Sequence, residues 1–91
     1  MLVNLDQVLV PARQSGYCVG AFNIFNLETV DAVYSAALDL NSPVIFAFGE
    51  KYIEVANITI IARIVQEFAG RTALPMVLHL DHCKSVDVIL D

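Results

Sequence analysis

Four side chains that bind metals or transfer protons stand close together near residue 80, where the sequence reads His79-Leu80-Asp81-His82-Cys83. A neutral imidazole is a good zinc ligand, and a neighbouring carboxylate can act as a general acid or base or orient the ring. In an extended segment, alternation places His79 and Asp81 on one face, with His82 at the transition to a loop. The plain alternative is a helix-capping loop in which these groups only satisfy backbone atoms. The spacing leaves both open, because a zinc site needs three or four ligands.

Three short, nearly continuous apolar runs divide the chain, at residues 18–23, 44–48 and 76–80. Runs of this length and composition are typical of parallel strands that are buried on both faces. On this interpretation Cys18 is a small buried residue of the first strand. The same interpretation predicts that four phenylalanines pack inside the structure, namely Phe22, Phe25, Phe46 and Phe48.

Helical periodicity fills the gaps between these runs. Apolar residues recur at three- and four-residue intervals in two stripes, over residues 27–38 and 53–68. Asn26 is a suitable N-cap for the first stripe, and Gly70 suits the end of the second. The sequence therefore predicts a helix after each of the first two strands.

Helices are also expected at both ends of the chain. A leading helix over residues 5–14 contains Pro11, which should kink or split it because the ring removes a hydrogen bond and clashes with the preceding turn. Ser85 is a suitable cap for a further helix that begins at Val86. Helices and strands then alternate along the whole chain.

The alternation indicates a parallel sheet, since the strand centres lie about 25 and 31 residues apart, as in βαβ units. A doubly wound nucleotide-binding fold would show a glycine-rich turn after the first strand, where residues 23–26 read NIFN. A (β/α)8 barrel of roughly 250 residues needs no such turn and builds its site at the carboxyl ends of its strands. We therefore favour an α/β fold in which residues 1–91 are the N-terminal part of a single TIM-barrel domain, its first three βα units, incomplete as given.

Composition excludes several classes of protein. A net charge of −5 with five Lys and Arg residues gives no basic stripe for nucleic acid. The longest uncharged stretch, residues 14–27, is too short and too polar to span a membrane, and no secretory signal is visible. Two cysteines are too few for a disulfide framework and indicate a cytoplasmic protein. An apolar content of 57% in so small a chain predicts that much of its surface is covered, as in a homo-oligomer or a larger protein.

The sequence resembles the class II, zinc-dependent fructose-bisphosphate and tagatose-bisphosphate aldolases over nearly its whole length. The resemblance is carried by residues 17–23 (YCVGAFN), 26–28 (NLE), 42–45 (SPVI) and 79–82 (HLDH). It implies a TIM barrel, a Zn²⁺ cofactor and a small sugar-phosphate substrate. The implied reaction is the reversible aldol cleavage of a ketose 1,6-bisphosphate to dihydroxyacetone phosphate and an aldehyde phosphate. Zinc would polarise the ketone, so no Schiff-base lysine is required.

The resemblance also implies a role for five residues of this chain. His82 matches the first zinc ligand of the family, and Asp81 matches the catalytic acid/base. Asn23 matches a residue that orients the substrate, and His79 a position behind the metal site. Gly49 stands where many members carry a serine that contacts a substrate phosphate, so only a backbone N–H remains there for substrate binding.

Two interpretations of different class follow. In the first, the chain is the N-terminal piece of an aldolase whose remaining zinc ligands and phosphate loops lie beyond residue 91, with Cys83 either a further ligand or a small loop residue. In the second, it is a non-catalytic, truncated half-barrel that acts, if at all, through self-assembly or a partner. In either case we expect the isolated chain to be inactive and to aggregate or oligomerise, because open apolar edges invite pairing.

Overall fold

A computed structural model describes residues 1–49 and 57–81 of the chain. Three helices alternate with three strands: α1 (Leu5–Ser15), β1 (Ala21–Asn23), α2 (Leu27–Leu40), β2 (Val44–Gly49), α3 (Ile58–Ala69) and β3 (Met76–Asp81). The strands form one sheet in the order β1-β2-β3, and both pairs are parallel. The predicted α/β arrangement with a parallel sheet is therefore confirmed. None of the described helices has the length and apolar character that crossing a bilayer requires.

The two faces of the sheet are covered differently, because successive side chains of a strand point to opposite faces. One face packs against α2 and α3 and forms the main core. The largest fully buried side chains of this core are Phe46, Phe48, Ile24, Met76, Val30 and Val65.

The first helix lies on the opposite face. Val8 of α1 packs with Ile45 and Val77, which sit one residue after the starts of β2 and β3. The helix α1 therefore covers the amino ends of β2 and β3 on this face and does not extend over their carboxyl ends. We call this side of the sheet the α1 face; by alternation it carries Ala21, Asn23, Ile45, Ala47, Gly49, Val77, His79 and Asp81.

The helix ends agree with the sequence signals. Asn26 is the N-cap of α2, as predicted, and Gly70 is the C-cap of α3. The helix α3 begins at Ile58, and the earlier part of its predicted stripe lies outside the described residues. The helix predicted after Ser85 also lies outside them.

Proline does not split the first helix. Pro11 lies inside α1, which runs without interruption from Leu5 to Ser15. The helix loses the hydrogen bond that a backbone N–H at this position would donate. Its ends are closed at both sides, by a capping box at Asn4 and by Gly16, whose φ of 76° places it in the left-handed region.

The first strand differs from its prediction. All three residues of β1 are exposed, so this strand is not buried on both faces as expected. The physical reason is its position: among the strands that the structure describes, β1 pairs with β2 alone and lies at the edge of the sheet. Cys18 is also exposed and precedes the strand, so its predicted burial is wrong.

The four phenylalanines fall into two pairs. Phe46 and Phe48 of the central strand are 0% and 1% exposed, which confirms their predicted role in the core. Phe22 and Phe25 are 51% and 38% exposed, so the prediction that they pack inside is wrong for them. Phenylalanines of the central strand are therefore buried, whereas those in the edge strand and in the loop after it are exposed.

The first residues of the chain run beside the third strand. Leu2 forms a parallel bridge with Met76, which places the α-amino group of Met1 at the end of α3. This amino group donates hydrogen bonds to the carbonyl oxygens of Ala69 at 2.5 Å, Thr72 at 2.6 Å and Leu74 at 3.0 Å. The amino-terminal segment is thus joined to the connection between α3 and β3.

Candidate active site

The last residues of the three strands gather at one edge of the sheet. They are Asn23, Gly49 and Asp81, and all three lie on the α1 face. In the pairing register Asn23 is level with Ala47, and Ala47 is level with His79; Gly49 is level with Asp81. Four residues that the sequence singles out are therefore brought to the same carboxyl edge.

The strand spacing sets how far apart these positions lie. Neighbouring strands are about 4.8 Å apart, so the Cα atoms of Gly49 and Asp81 are about 5 Å apart and those of Asn23 and His79 about 10 Å apart. Asn23 is exposed, His79 is half-buried, and Gly49 is buried. Asn23 and His79 thus flank the end of the central strand.

The residue expected from the resemblance to bind zinc, His82, and the side chain of the expected acid/base, Asp81, lie outside the described residues. The backbone of Asp81 ends β3, whereas the side chain of Asp81 and all of His82 and Cys83 are outside the described part. Within residues 1–49 and 57–81, no group of three or more His, Cys, Asp or Glu side chains could hold a metal ion. The described residues therefore do not form a zinc site by themselves.

The backbone that follows Asn23 is held in place at Ile24. The backbone N–H of Ile24 donates to the carbonyl oxygen of Ala47 at 2.9 Å. The side chain of Ile24 is fully buried in the core below α2 and α3. The residue that follows Asn23 is therefore held both by the central strand and by the core.

A second anchor lies at the start of α2. The hydroxyl oxygen of Thr29 accepts hydrogen bonds from the backbone N–H groups of Phe25 at 3.0 Å and Asn26 at 3.1 Å. In return, the Oδ1 atom of Asn26 accepts from the backbone N–H of Thr29 at 2.9 Å. Thr29 is not evident from the sequence alone, because the usual signal for a capping box is Glu or Gln three residues after the N-cap.

An apolar groove is a separate feature of the surface. It has a volume of about 760 Å³ and lies between α2 and the segment that leads into β1. Phe22, Leu40 and Val44 are among the residues that line it, and none of its lining residues is charged. Because it reaches the amino end of β2, this α2 groove is distinct from the carboxyl edge that carries Asn23 and Asp81.

The fold and the site define an α/β protein whose polar residues collect where parallel strands end. The family model described as "Fructose-bisphosphate aldolase class-II" matches residues 3–91. The chain belongs to this family, which confirms the resemblance stated from its motifs.

Individual relatives agree with the family. The chain is 38% identical over 90 residues to the fructose-bisphosphate aldolase of Thermus caldophilus, covering 99% of this chain and 29% of that protein. It is 30% identical over 79 residues to the sulfofructosephosphate aldolase of Alkalicoccus urumqiensis, covering 87% and 28%. The crystal structure of the YdjI aldolase from Escherichia coli K12 matches with a TM-score of 0.91 at 27% identity, over 99% of this chain and 35% of that one. The chain thus spans less than a third of the length of the two aldolases from Thermus caldophilus and Alkalicoccus urumqiensis, and about a third of the YdjI chain.

Proposed function

We propose that residues 1–91 form the first three βα units of a TIM-barrel domain that works as a zinc-dependent class II aldolase. The reaction is the reversible cleavage of a ketose 1,6-bisphosphate to dihydroxyacetone phosphate and an aldehyde phosphate. One observation carries the proposal: Asn23, Gly49 and Asp81 end three adjacent parallel strands on one face. A barrel builds its active site from such strand ends, and membership of the family supplies the reaction class.

Asp81 is the proposed acid/base. In cleavage its carboxylate takes the proton of the C4 hydroxyl group while the C3–C4 bond breaks. C4 becomes the aldehyde carbon, and the electron pair of the bond remains with the dihydroxyacetone phosphate part. In condensation the same carboxyl group returns the proton to the aldehyde oxygen. Its position at the end of β3, level with Gly49, supports this role because the strand fixes its backbone.

His82 is the proposed metal ligand of this chain, with the other ligands outside these 91 residues. A bound zinc ion supplies Lewis-acid polarisation of the substrate ketone. His79 lies two residues before Asp81 on the α1 face and is half-buried. We assign it a role behind the metal site, where it orients neighbouring groups.

Two further residues contact the substrate in this proposal. The Asn23 amide offers both a donor and an acceptor for substrate hydroxyl groups, and its exposure at the end of β1 leaves it accessible. Gly49 offers only its backbone N–H to a phosphate oxygen. Since Gly49 is level with Asp81, this N–H is close to the proposed acid/base.

The substrate class, the location and the partners of the protein are also part of the proposal. Relatives named for fructose-bisphosphate and for sulfofructosephosphate support a phosphorylated ketose as the substrate class. The two cysteines support a reducing, cytoplasmic location. The apolar content supports a homo-oligomer. The net charge of −5 and the lack of a long apolar stretch support the proposal that nucleic acid and membranes are not partners.

A non-catalytic, self-assembling chain is the second candidate. The exposed edge strand β1 and the α2 groove favour it, since both leave apolar surface uncovered in residues 1–49. Such surface drives association between chains. The two candidates differ in the mass of the natural product, because a complete barrel requires roughly 250 residues, or about 30 kDa.

Purification of the natural gene product tests the proposal. Its intact mass is measured first, and cleavage of fructose 1,6-bisphosphate is then followed by coupling dihydroxyacetone phosphate to NADH oxidation. We expect turnover that EDTA abolishes and added Zn²⁺ restores. A barrel-sized product that takes up no zinc and does not cleave ketose bisphosphates would contradict the proposal, and a product of only 91 residues would favour the second candidate.

A further inference from the structure

We infer that Thr29 is a positioning residue for Asn23, an inference that rests on the proposed function of Asn23. The strand β1 has three residues, and within the described residues it pairs with β2. So short a strand fixes its own end weakly by register. The direction in which the chain leaves Asn23 depends on what holds the next few residues.

The hydroxyl group of Thr29 has its full hydrogen-bonding capacity engaged in this turn. Its oxygen accepts from the backbone N–H groups of Phe25 at 3.0 Å and Asn26 at 3.1 Å. Its proton is donated to Asn26, whose Oδ1 atom lies at 2.8 Å and whose carbonyl oxygen lies at 3.0 Å. A hydroxyl has one donor and two acceptor sites. Thr29 therefore acts on the backbone of the turn and has no capacity left to bind substrate.

Ile24 is the one residue between Asn23 and the turn that Thr29 holds. The side chain of Ile24 is fully buried, and its backbone N–H donates to the carbonyl oxygen of Ala47. Ile24 and the turn fixed by Thr29 together hold the backbone that follows Asn23, so Asn23 has little freedom to rotate out of the α1 face. Small displacements of a substrate-positioning group reduce turnover strongly, so the turn must be rigid for Asn23 to work.

A similar capping box at another helix supplies a matched control. In α1 the Oδ1 atom of Asn4 accepts from the N–H of Gln7 at 3.1 Å, and Gln7 Oε1 accepts from the N–H of Asn4 at 3.0 Å. This box resembles that of α2 in its bonds, yet α1 packs at the amino ends of the strands. Gln7→Leu therefore removes an equivalent cap far from Asn23.

Two substitutions at Thr29 separate the hydroxyl group from the shape of the side chain. Thr29→Val keeps the branched shape and removes the acceptor, whereas Thr29→Ser keeps the acceptor. In the natural gene product, we expect Thr29→Val to lower kcat/KM for fructose 1,6-bisphosphate by about 10- to 100-fold. Thr29→Ser should restore most of this loss, and Gln7→Leu should leave kcat/KM unchanged.

A double substitution tests whether Thr29 works through Asn23. Asn23→Ala already removes the group that is positioned, so adding Thr29→Val should cause little further loss of kcat/KM. Full additivity of the two losses, or an equal loss in Gln7→Leu, would overturn the inference. Either result would mean that Thr29 acts only through general stability.

Hydrogen exchange gives a readout that does not depend on activity. In the same protein we expect Thr29→Val to speed amide exchange over residues 23–26 by about tenfold, the effect of roughly one lost hydrogen bond. Thr29→Ser and Gln7→Leu should leave this segment unchanged. Unchanged exchange in Thr29→Val overturns the inference whatever the activity. Faster exchange in a protein without any turnover supports the positioning of Asn23 and contradicts the proposed function instead.

Discussion

Asn23 of β1 and His79 of β3 lie level with each other and on the same face of the sheet, with only Ala47 between them. Ala47 is 3% exposed, so its methyl group is already enclosed. A larger side chain there has to displace its neighbours. The small size of this residue is therefore part of how the sheet brings Asn23 and His79 to one edge.

We predict that Ala47→Leu destabilises the protein by about 1–3 kcal/mol, the usual effect of overpacking a well-packed site. Ala73→Leu is the matched control, because Ala73 is exposed between α3 and β3, does not line the α2 groove and should change stability by less than about 0.5 kcal/mol. Urea unfolding followed by circular dichroism measures both. If Ala47→Leu and the control change stability equally, the site around residue 47 is not closely packed, which would contradict the structure.

The central strand is predicted to carry most of the core energy. Phe46→Ala removes a side chain that is 0% exposed and should lower the free energy of unfolding by about 3–5 kcal/mol. Phe22→Ala, at a residue that is 51% exposed, should cost less than about 1 kcal/mol. The comparison is made by chemical denaturation of both variants. In the isolated chain, a larger loss for Phe22→Ala than for Phe46→Ala would contradict the exposure of β1.

The isolated 91-residue chain is predicted to self-associate through its uncovered surface. Phe22 lines the α2 groove and is exposed at the sheet edge, so Phe22→Asp should shift the chain towards monomer in sedimentation velocity experiments. Leu9→Asp is the control, since Leu9 is 43% exposed on α1 and does not line the groove. If both variants shift the chain equally, association is unspecific and not centred on β1.

The amino terminus of this chain is predicted to contribute to stability. The Met1 amino group donates to three carbonyl oxygens near the end of α3, and burial lowers its pKa. Acetic anhydride near neutral pH should therefore modify it before the lysines. We expect acetylation to lower the free energy of unfolding by about 1–2 kcal/mol, because the acetylated nitrogen keeps one N–H and can no longer donate to all three carbonyl oxygens. Identical melting curves for the acetylated and free chains would contradict this contribution.

Much of the fold follows from local signals. The apolar runs locate β2 and β3, and Asn26 and Gly70 mark helix ends, because these features depend on residues close in sequence. The exposure of Cys18 and Phe22 does not follow, since an apolar strand at a sheet edge has the same composition as one in the middle. Burial is set by what packs against a strand, which local patterns do not encode.

The candidate site likewise has features that local sequence predicts and features that only the fold determines. Alternation along one strand predicts that His79 and Asp81 share a face. That Asn23 is level with His79 depends on the register between strands, which is set by packing over the whole sheet. The role of Thr29 depends on a single hydroxyl oxygen that meets two backbone N–H groups, and only the folded turn brings these atoms together.

The most direct test of the account is the turnover of fructose 1,6-bisphosphate by the natural gene product with Asp81→Asn, beside Asp39→Asn as control. Asn retains the shape of the carboxyl group, but its amide neither donates nor takes up a proton as an acid or base near neutral pH. Asp39 is an exposed residue of α2. We predict that Asp81→Asn lowers kcat by at least about 100-fold, the range for general acid–base catalysis, with zinc content unchanged and Asp39→Asn fully active. Undiminished turnover in Asp81→Asn would contradict it.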